Sequence, residues 1–446
     1  MQSDIEKWLV DQKVSEVECL ISDISGIARG KILPVHKFVS ALSGDGLRLP
    51  EYVLGQSVMG DYHDSSVLHE IGRNIRLVPD CATCRLVPWY KEPTAQIIHD
   101  AVHQDGQDVT FASRAVLRRI VGLFDDRGLA PVIAPELEFF LVEQSQDTNA
   151  PLVSPQGRSG RVETAKQAYG IDAVNEFDPF FEDIYDHCAA QKIDIDTLSH
   201  EAGAAQMEIN LNHGNPLDLA DQAFLFKLTL RQTALDHGLH ATFMAKPMQY
   251  QPGSSMHIHV SLTDKNSGEN VFSESDGEAS DLFYHALAGM QHYLGGAMAL
   301  MAPYVNSYRR TNAGEDSPAN LAWGMDNRTV GLRVPLGNAH SRRIENRIPG
   351  ADANHYLAIA ATLASIWVGL EEKRHPTKPR SKSGEHLATL PRNLDFALDS
   401  LKKAKPLHHV LGQDFVTLFI EVKRAEAEAF LEVISPWERE YLLLNV

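Results

Sequence analysis

The chain is short of cysteine, of long continuous apolar runs and of cationic side chains, and each shortage excludes something. Four cysteines in 446 residues, Cys19, Cys81, Cys84 and Cys188, are too few and too scattered for a disulfide framework. Cys81-Ala-Thr-Cys84 is a lone C-x-x-C with no second pair and no nearby His, so it reads as core or turn cysteines rather than a zinc site. A reducing cytoplasm is the compartment consistent with this usage. Tyr356 to Leu370, uncharged over 15 residues and rich in Ala, is too short to span a bilayer and predicts a buried helix. Met1 to Lys7 carries neither a basic segment nor an apolar run, so no secretory signal is read there. Lys and Arg number 41 against 59 Asp and Glu, a net charge of −18, which argues against nucleic acid or an anionic membrane as partner. No Walker A sequence and no G-x-G-x-x-G is present, which points away from P-loop and Rossmann folds.

What is there is an ordinary globular composition, 43% apolar and 22% charged, with length for two or three domains. Glu16 to Ser22 alternates and meets the turn Asp23-Ile-Ser-Gly26 before Lys31-Ile-Leu-Pro34, a hairpin signal. Short strands are expected again at 75–78, 84–88 and 95–98. Residues 1–105 therefore read as a small strand-rich domain. Ser113 as N-cap, Phe111 as a hydrophobic staple and Gly128 just beyond the end mark a helix that opens a large α+β domain over 106–446. Gln144 to Gly160 reads as a polar excursion and Lys373 to Pro391 as an exposed basic connection.

The informative pattern is alternation in which the polar member is a metal-ligand type or an arginine. Glu136 and Glu138 share one face of 135–139, and Gln206, Glu208 and Asn210 one face of 206–211. His257 and His259 lie opposite Met256, Ile258 and Val260, and Arg343, Glu345 and Arg347 lie together. Any one such strand could be the wet side of a two-sided sheet. Together, and with Glu201 upstream of Glu208, they offer five Glu and one His. Five carboxylates gathered on one concave face repel unless divalent cations sit between them, and an oxygen-rich set with one imidazole suits Mg2+ or Mn2+ better than zinc. Two ions would fit six ligands.

Arg310, Arg328, Arg333, Arg343 and Arg347 fall within 38 residues. Guanidinium forks match phosphates and carboxylates, so arginines facing a divalent-metal cluster suggest phosphoryl transfer from a nucleotide to an acid.

These motifs resemble the glutamine synthetase family along nearly the whole chain. The resemblance rests on Pro135-Glu-Leu-Glu-Phe-Phe140, Glu201-x6-Glu208, Gly253-Ser-Ser-Met-His-Ile-His-Val-Ser261, Asn306-Ser-Tyr-Arg-Arg310, Asn327-Arg328 and Arg342-Arg-Ile-Glu-Asn-Arg-Ile-Pro349. It implies an N-terminal β-grasp domain, a catalytic domain whose curved antiparallel sheet forms a funnel, and a homo-dodecamer of two stacked hexameric rings. By resemblance, Glu138, Glu201 and Glu208 would hold one metal, and Glu136, His257 and Glu345 the other. Arg310 and Gly253 would bind glutamate, Arg328 and Arg333 would lie near the transferred phosphate, and Arg347 at the γ-carboxylate. Asp196, His259, Ser261 and Arg343 match nucleotide-side positions. The implied reaction uses ATP to phosphorylate the glutamate γ-carboxylate, after which an amine displaces phosphate.

The departures point to a particular branch. The family's flap Gly-x-Glu-x-Pro reads Gly314-Glu-Asp316-Ser-Pro318, making Asp316 or an acid near it the candidate base. Pro50 or Glu51 stands where an Asp is expected, Asn74 replaces a further acid, and Pro252 replaces an Asn. The residue at the adenylylated tyrosine position is Ala388. An ammonium pocket needs anionic and hydrogen-bonding groups around a small cation, so their joint loss suggests a larger nucleophile. The resemblance is strongest to γ-glutamylpolyamine (γ-glutamylputrescine) synthetases of polyamine catabolism. The alternatives are an ammonia-dependent glutamine synthetase, a catalytically silent structural or regulatory paralogue, or ligation of an acid other than glutamate.

Overall fold

The structure is a computed structural model that describes residues 2–44, 46–62, 65–68, 73–311, 318–380 and 390–446. Two sheets organise these residues. The first contains β1 (Glu16–Ser22), β2 (Ala28–Pro34), β3 (Leu47–Pro50), β4 (Asn74–Pro79), β5 (Arg85–Val87) and β6 (Thr94–Val102). Its order is β2-β1-β6-β4-β3, with β5 beside β6, and the central β1–β6 pair is parallel. The expected hairpin forms because Asp23 closes its turn: the carboxylate accepts from the Ser25 and Ile27 amides, both at 2.9 Å, and from Arg29 Nε at 2.8 Å.

The second sheet contains β7 (Leu129–Glu143), β8 (Ile195–His200), β9 (Gln206–Leu211), β10 (Leu239–Thr242), β11 (Met256–Asp264), β12 (Trp323–Met325), β13 (Leu332–Val334) and β14 (Ile344–Asn346). Its order is β12-β13-β14-β11-β7-β9-β8, with β10 beside β7, and only the short β12–β13 pair is parallel. The sheet curves into a nearly closed funnel. One face of its long strands is wholly apolar, with Leu137, Phe139, Met207, Met256, Ile258 and Val260 all 0–1% exposed. That face packs on the helix Pro216–Asp236, which packs in turn on the helix His355–Glu372. The second of these contains the predicted 15-residue Ala-rich run and is buried along nearly all of it. No helix among the described residues is long and apolar enough to cross a membrane.

The helix expected after residue 112 runs Ser113–Asp125, but Ser113 is not its N-cap. Ala112 occupies that position, and the Ser113 hydroxyl donates instead to the Asp23 carbonyl at 3.0 Å. The residue type was right for a helix start, but a long-range acceptor outcompeted the local one. Asn354 joins the same point. Its side-chain oxygen caps the helix His355–Glu372 at the Tyr356 amide, while its amide group donates to the Asp23 and Ile24 carbonyls and to Ser113. Gly26 takes the turn at φ +81°, which glycine tolerates, and a Cβ there would lie 3.2 Å from the Asn354 Cα.

Arg114 ties the two sheets together. It reaches Asp80 and Asp100 on the first sheet's side at 2.6 and 2.8 Å and Asp221 of the helix Pro216–Asp236 at 2.8–3.0 Å, with its own side chain 7% exposed. Removing one partner of such a cluster leaves buried charge uncompensated, so Arg114→Met should destabilise the protein by about 3 kcal/mol or more. A thermal or urea midpoint indistinguishable from that of the parent would contradict this.

All four cysteines are free thiols, and three of them are buried. Cys81 and Cys84 bracket a short 3-10 turn, and burial pushes the Cys84 thiol up to about 12, where a reactive thiolate is disfavoured.

Candidate active site

Strand register assembles the site. Glu138 on β7 lies directly opposite Glu208 on β9, Glu136 opposite His257 on β11, and His259 opposite Glu345 on β14, which in turn faces Arg333 on β13. Like charges directly opposite each other are destabilising on a sheet, so the Glu138–Glu208 pair asks for a cation. The polar face of the sheet lines a cavity of about 710 Å³ that includes Glu136, Glu138, Glu201, Glu208, His257 and Glu345.

Donor atoms of Glu136, His257 and Glu345 lie within 4.8 Å of one another, as do those of Glu138, Glu208 and His257. The first trio is the set implied by the resemblance. In the second, His257 stands where Glu201 was expected. Glu201 lines the same cavity and interacts electrostatically with Glu138 and Glu208, but it does not complete a tight trio. The His257 ring therefore sits between two acidic groups, Nδ1 being 3.1 Å from Glu136 and 3.8 Å from Glu345, and Nε2 3.9 Å from Glu138.

The electrostatics divide the carboxylates. Burial alone would raise Glu136, but hydrogen bonds from His257 and His259 outweigh it and hold that acid well below the usual carboxylate range. Glu345 is also lowered, its burial outweighed by His257, His259 and Arg347. Burial, then repulsion from Glu201, pushes Glu138 up to about 8; burial, then repulsion from Glu136, Glu138 and Glu201, pushes Glu208 up to about 10. Glu201 is raised mainly by burial. Burial and the Arg347 cation lower His257, which keeps its imidazole neutral. Its Nε2 is buried with no hydrogen-bond partner. A neutral imidazole with a free nitrogen among carboxylates that cannot all ionise fits a site for hard divalent cations.

Arginines stand beside the acids. Arg333 and Arg347 both pair with Glu345, which is 0% exposed, and Arg333 also reaches Asp326 at 2.6 Å. Arg347 Nε is buried without a partner, a donor available to a ligand. Arg328 is exposed at the rim, 3.4 Å from the Tyr169 hydroxyl. Arg310 differs from the expectation of direct substrate contact. It is 2% exposed and donates to Ser255, Ile348 and Arg347, and it is not among the residues lining the cavity. Gly253 does line it, and a Cβ there would meet Arg310 Cγ at 2.5 Å. Arg310 thus supports the wall from behind.

Asp196, His259, Ser261 and Arg343 converge on a second cavity of about 650 Å³, which shares Glu136 and Asn210 with the first. Arg343 Nε donates to His259 Nδ1 at 3.1 Å, which fixes the His259 tautomer so that Nε2–H donates to Glu136 at 2.8 Å. Sequence reasoning missed other polar residues here, Asn212, His213, Asn338, His340 and Ser341, which lie outside the alternating strands. It also missed Tyr169, Thr197 and Ser199 of the first cavity. Asn210 was visible as the third polar member of its strand. Asp316 and Ala388 lie outside the described residues. Glu51 is 3% exposed and turned inward, 3.5 Å from His103 and 3.9 Å from Arg73.

A curved antiparallel sheet with an acid-and-imidazole floor and an arginine wall defines a ligase of one kind, and the glutamine synthetase catalytic-domain model matches residues 110–442. The chain belongs to the glutamine synthetase family. It is 36% identical over 442 residues to gamma-glutamylputrescine synthetase of Escherichia coli (strain K12), covering 96% of this chain and 92% of that one. It is 32% identical to a glutamate–isopropylamine ligase of Pseudomonas sp, covering 93% and 92%, and 30% identical to a glutamine synthetase of Halobacterium salinarum, covering 99% and 97%. The solved structure of apo GmaS without ligand superposes with a TM-score of 0.86 at 26% identity, covering 99% of this chain and all of that one.

Proposed function

We propose that the protein joins glutamate to an amine, with putrescine or a similar polyamine as acceptor, through ATP-dependent formation of γ-glutamyl phosphate. The observation that carries the reading is the lining of the cavity of about 710 Å³ beside the acids. Tyr169, Ile171, Val174, Leu198, Ala202 and Pro252 give it an apolar wall that a small hydrated cation would not use and a carbon chain would. The relatives named for putrescine and isopropylamine support the same choice.

On this reading Glu136, His257 and Glu345 would hold one Mg2+ or Mn2+, and Glu138, Glu208 and Glu201 with the free His257 nitrogen beside them the other; the ions would neutralise phosphate oxygens. Arg347, held on one edge by Glu345, offers its unpartnered Nε to the γ-carboxylate, and Arg333 and Arg328 face the phosphate as it transfers. Gly253 and, behind it, Arg310 shape the glutamate pocket. Asp196, His259, Ser261 and Arg343 bind the nucleotide in the second cavity. The amine enters as a cation and must lose a proton before attack, the task assigned by resemblance to Asp316. Residues 1–105 and 106–446 are taken as the two domains, and a dodecamer of two hexameric rings as the assembly.

The test is a nucleophile panel. With glutamate, ATP and Mg2+, phosphate release should be fastest with putrescine or another polyamine or alkylamine, and product mass should identify the γ-glutamyl amide. Faster release with ammonium would establish the rival reading, an ordinary glutamine synthetase.

A further inference from the structure

Two non-glycine residues with left-handed backbones stand at the first cavity, Tyr169 at φ 61°, which lines it, and the buried Ala205 at φ 53°, whose neighbour Gln206 does. Side chains other than glycine persist in this region only where their surroundings hold them, and such positions concentrate at functional sites. Here the surroundings converge on one buried pair. The Tyr169 amide donates to the His200 carbonyl at 2.9 Å, and the Ala205 amide donates to the Glu163 carboxylate at 3.2 Å. His200 Nε2 is 3.1 Å from both carboxylate oxygens of Glu163, whose side chain is 9% exposed. His200 Nδ1 donates to the Glu201 carbonyl at 2.6 Å.

A carbonyl can only accept, so Nδ1 is the donor there and Nε2 faces the Glu163 carboxylate. This contact is largely shielded from water. It joins the strap 161–170 to the turn between β8 and β9. The strap presents Tyr169, followed by Ile171 and Val174, to the cavity, and the turn presents Glu201 and Ala202. Glu163 itself is not among the lining residues.

We propose that Glu163 is a positioning residue for the acceptor amine. Through His200 and Ala205 it holds the strap bearing Tyr169 against the turn bearing Glu201, and so sets the width of the acceptor end of the site. This rests on the reading of that end as the nucleophile's.

The test compares Glu163→Ala and Glu163→Gln with the parent enzyme, using whichever nitrogen nucleophile the parent prefers. Loosening the strap by about an ångström should raise the KM for the nucleophile about tenfold or more in E163A while the KM values for glutamate and ATP stay within about twofold. E163Q should recover most of the loss, because its amide can donate to Nε2 and its carbonyl can accept from Ala205. A parallel rise in all three KM values, or a fall in kcat alone, would overturn the proposal. If the parent prefers ammonium, the amine reading falls while the split in KM still judges Glu163. Independently of activity, the Tyr169 amide should exchange hydrogen about tenfold faster in E163A while amides at the centre of β7 are unchanged. Unaltered exchange at Tyr169 would also overturn it.

Discussion

Glu345→Ala is expected, on the proposed reading, to lower amine-dependent phosphate release by about 10³-fold or more, because it would remove a ligand of an ion that supplies several kcal/mol of charge stabilisation. The position explains the size of the effect. Glu345 is wholly buried, belongs to the trio with Glu136 and His257, and is the shared partner of Arg333 and Arg347. Its loss leaves two guanidinium groups uncompensated and, on the same reading, an ion short of a ligand. The variant should therefore also lose stability, by about 3 kcal/mol where the arginines cannot turn to water. Glu345→Gln separates the two effects: the amide fills the same space, so the unfolding midpoint should fall less than in the Ala variant while activity stays abolished. Activity within tenfold of the parent would remove Glu345 from the reaction, and a protein kept only as a structural oligomer would behave in that way.

A second large effect is expected from divalent ions, and it should grow with pH. In the ion-free protein Glu138 is raised to about 8 and Glu208 to about 10, against an ordinary 4.5. Between these limits the folded state keeps protons that the unfolded chain releases. The unfolded state then binds fewer protons, so ion-free stability falls as pH rises, by roughly 1 kcal/mol per pH unit for each such group. An ion replaces those protons, and binding should release them. The stabilisation by Mg2+ or Mn2+, read as the difference in unfolding midpoint between ion-loaded and chelator-treated protein, should therefore increase from pH 6 to pH 8. At a hundredfold excess over Kd the effect is about 3 kcal/mol. Using the difference cancels groups that titrate in both states, such as Lys227, which burial lowers to about 7. Glu136 and Glu345 are lowered, so their contribution is lost only below the ordinary carboxylate range and lies outside this window. A midpoint difference that is absent, or independent of pH, would rule out the acid cluster as an ion site.

Much of the site was legible because β-geometry repeats every two residues. The pattern at 135–139, 206–211, 255–261 and 343–348 defines the polar face, and the apolar face is as buried as that pattern demands. The register was not legible, since nothing local states that Glu138 faces Glu208 or that Arg333 and Arg347 share Glu345. The misplacement of Ser113 has the same origin. Its cap chemistry is local, but the Asp23 carbonyl it meets is 90 residues away.

By itself, then, the sequence determined the chemistry available to this protein. Its alternating acids, imidazoles and arginines commit several strands to one polar concavity, and side-chain direction in a strand follows from covalent geometry alone. Only the tertiary structure decided how those groups are shared. It set the His257 ring between two acidic groups rather than within one, and withdrew Arg310 behind the wall. It also bound Tyr169 to the β8–β9 turn through Glu163 and His200. Each of these depends on contacts between residues distant in sequence, whose partners are selected by packing and by the cost of leaving a buried charge or hydrogen-bonding group unpaired.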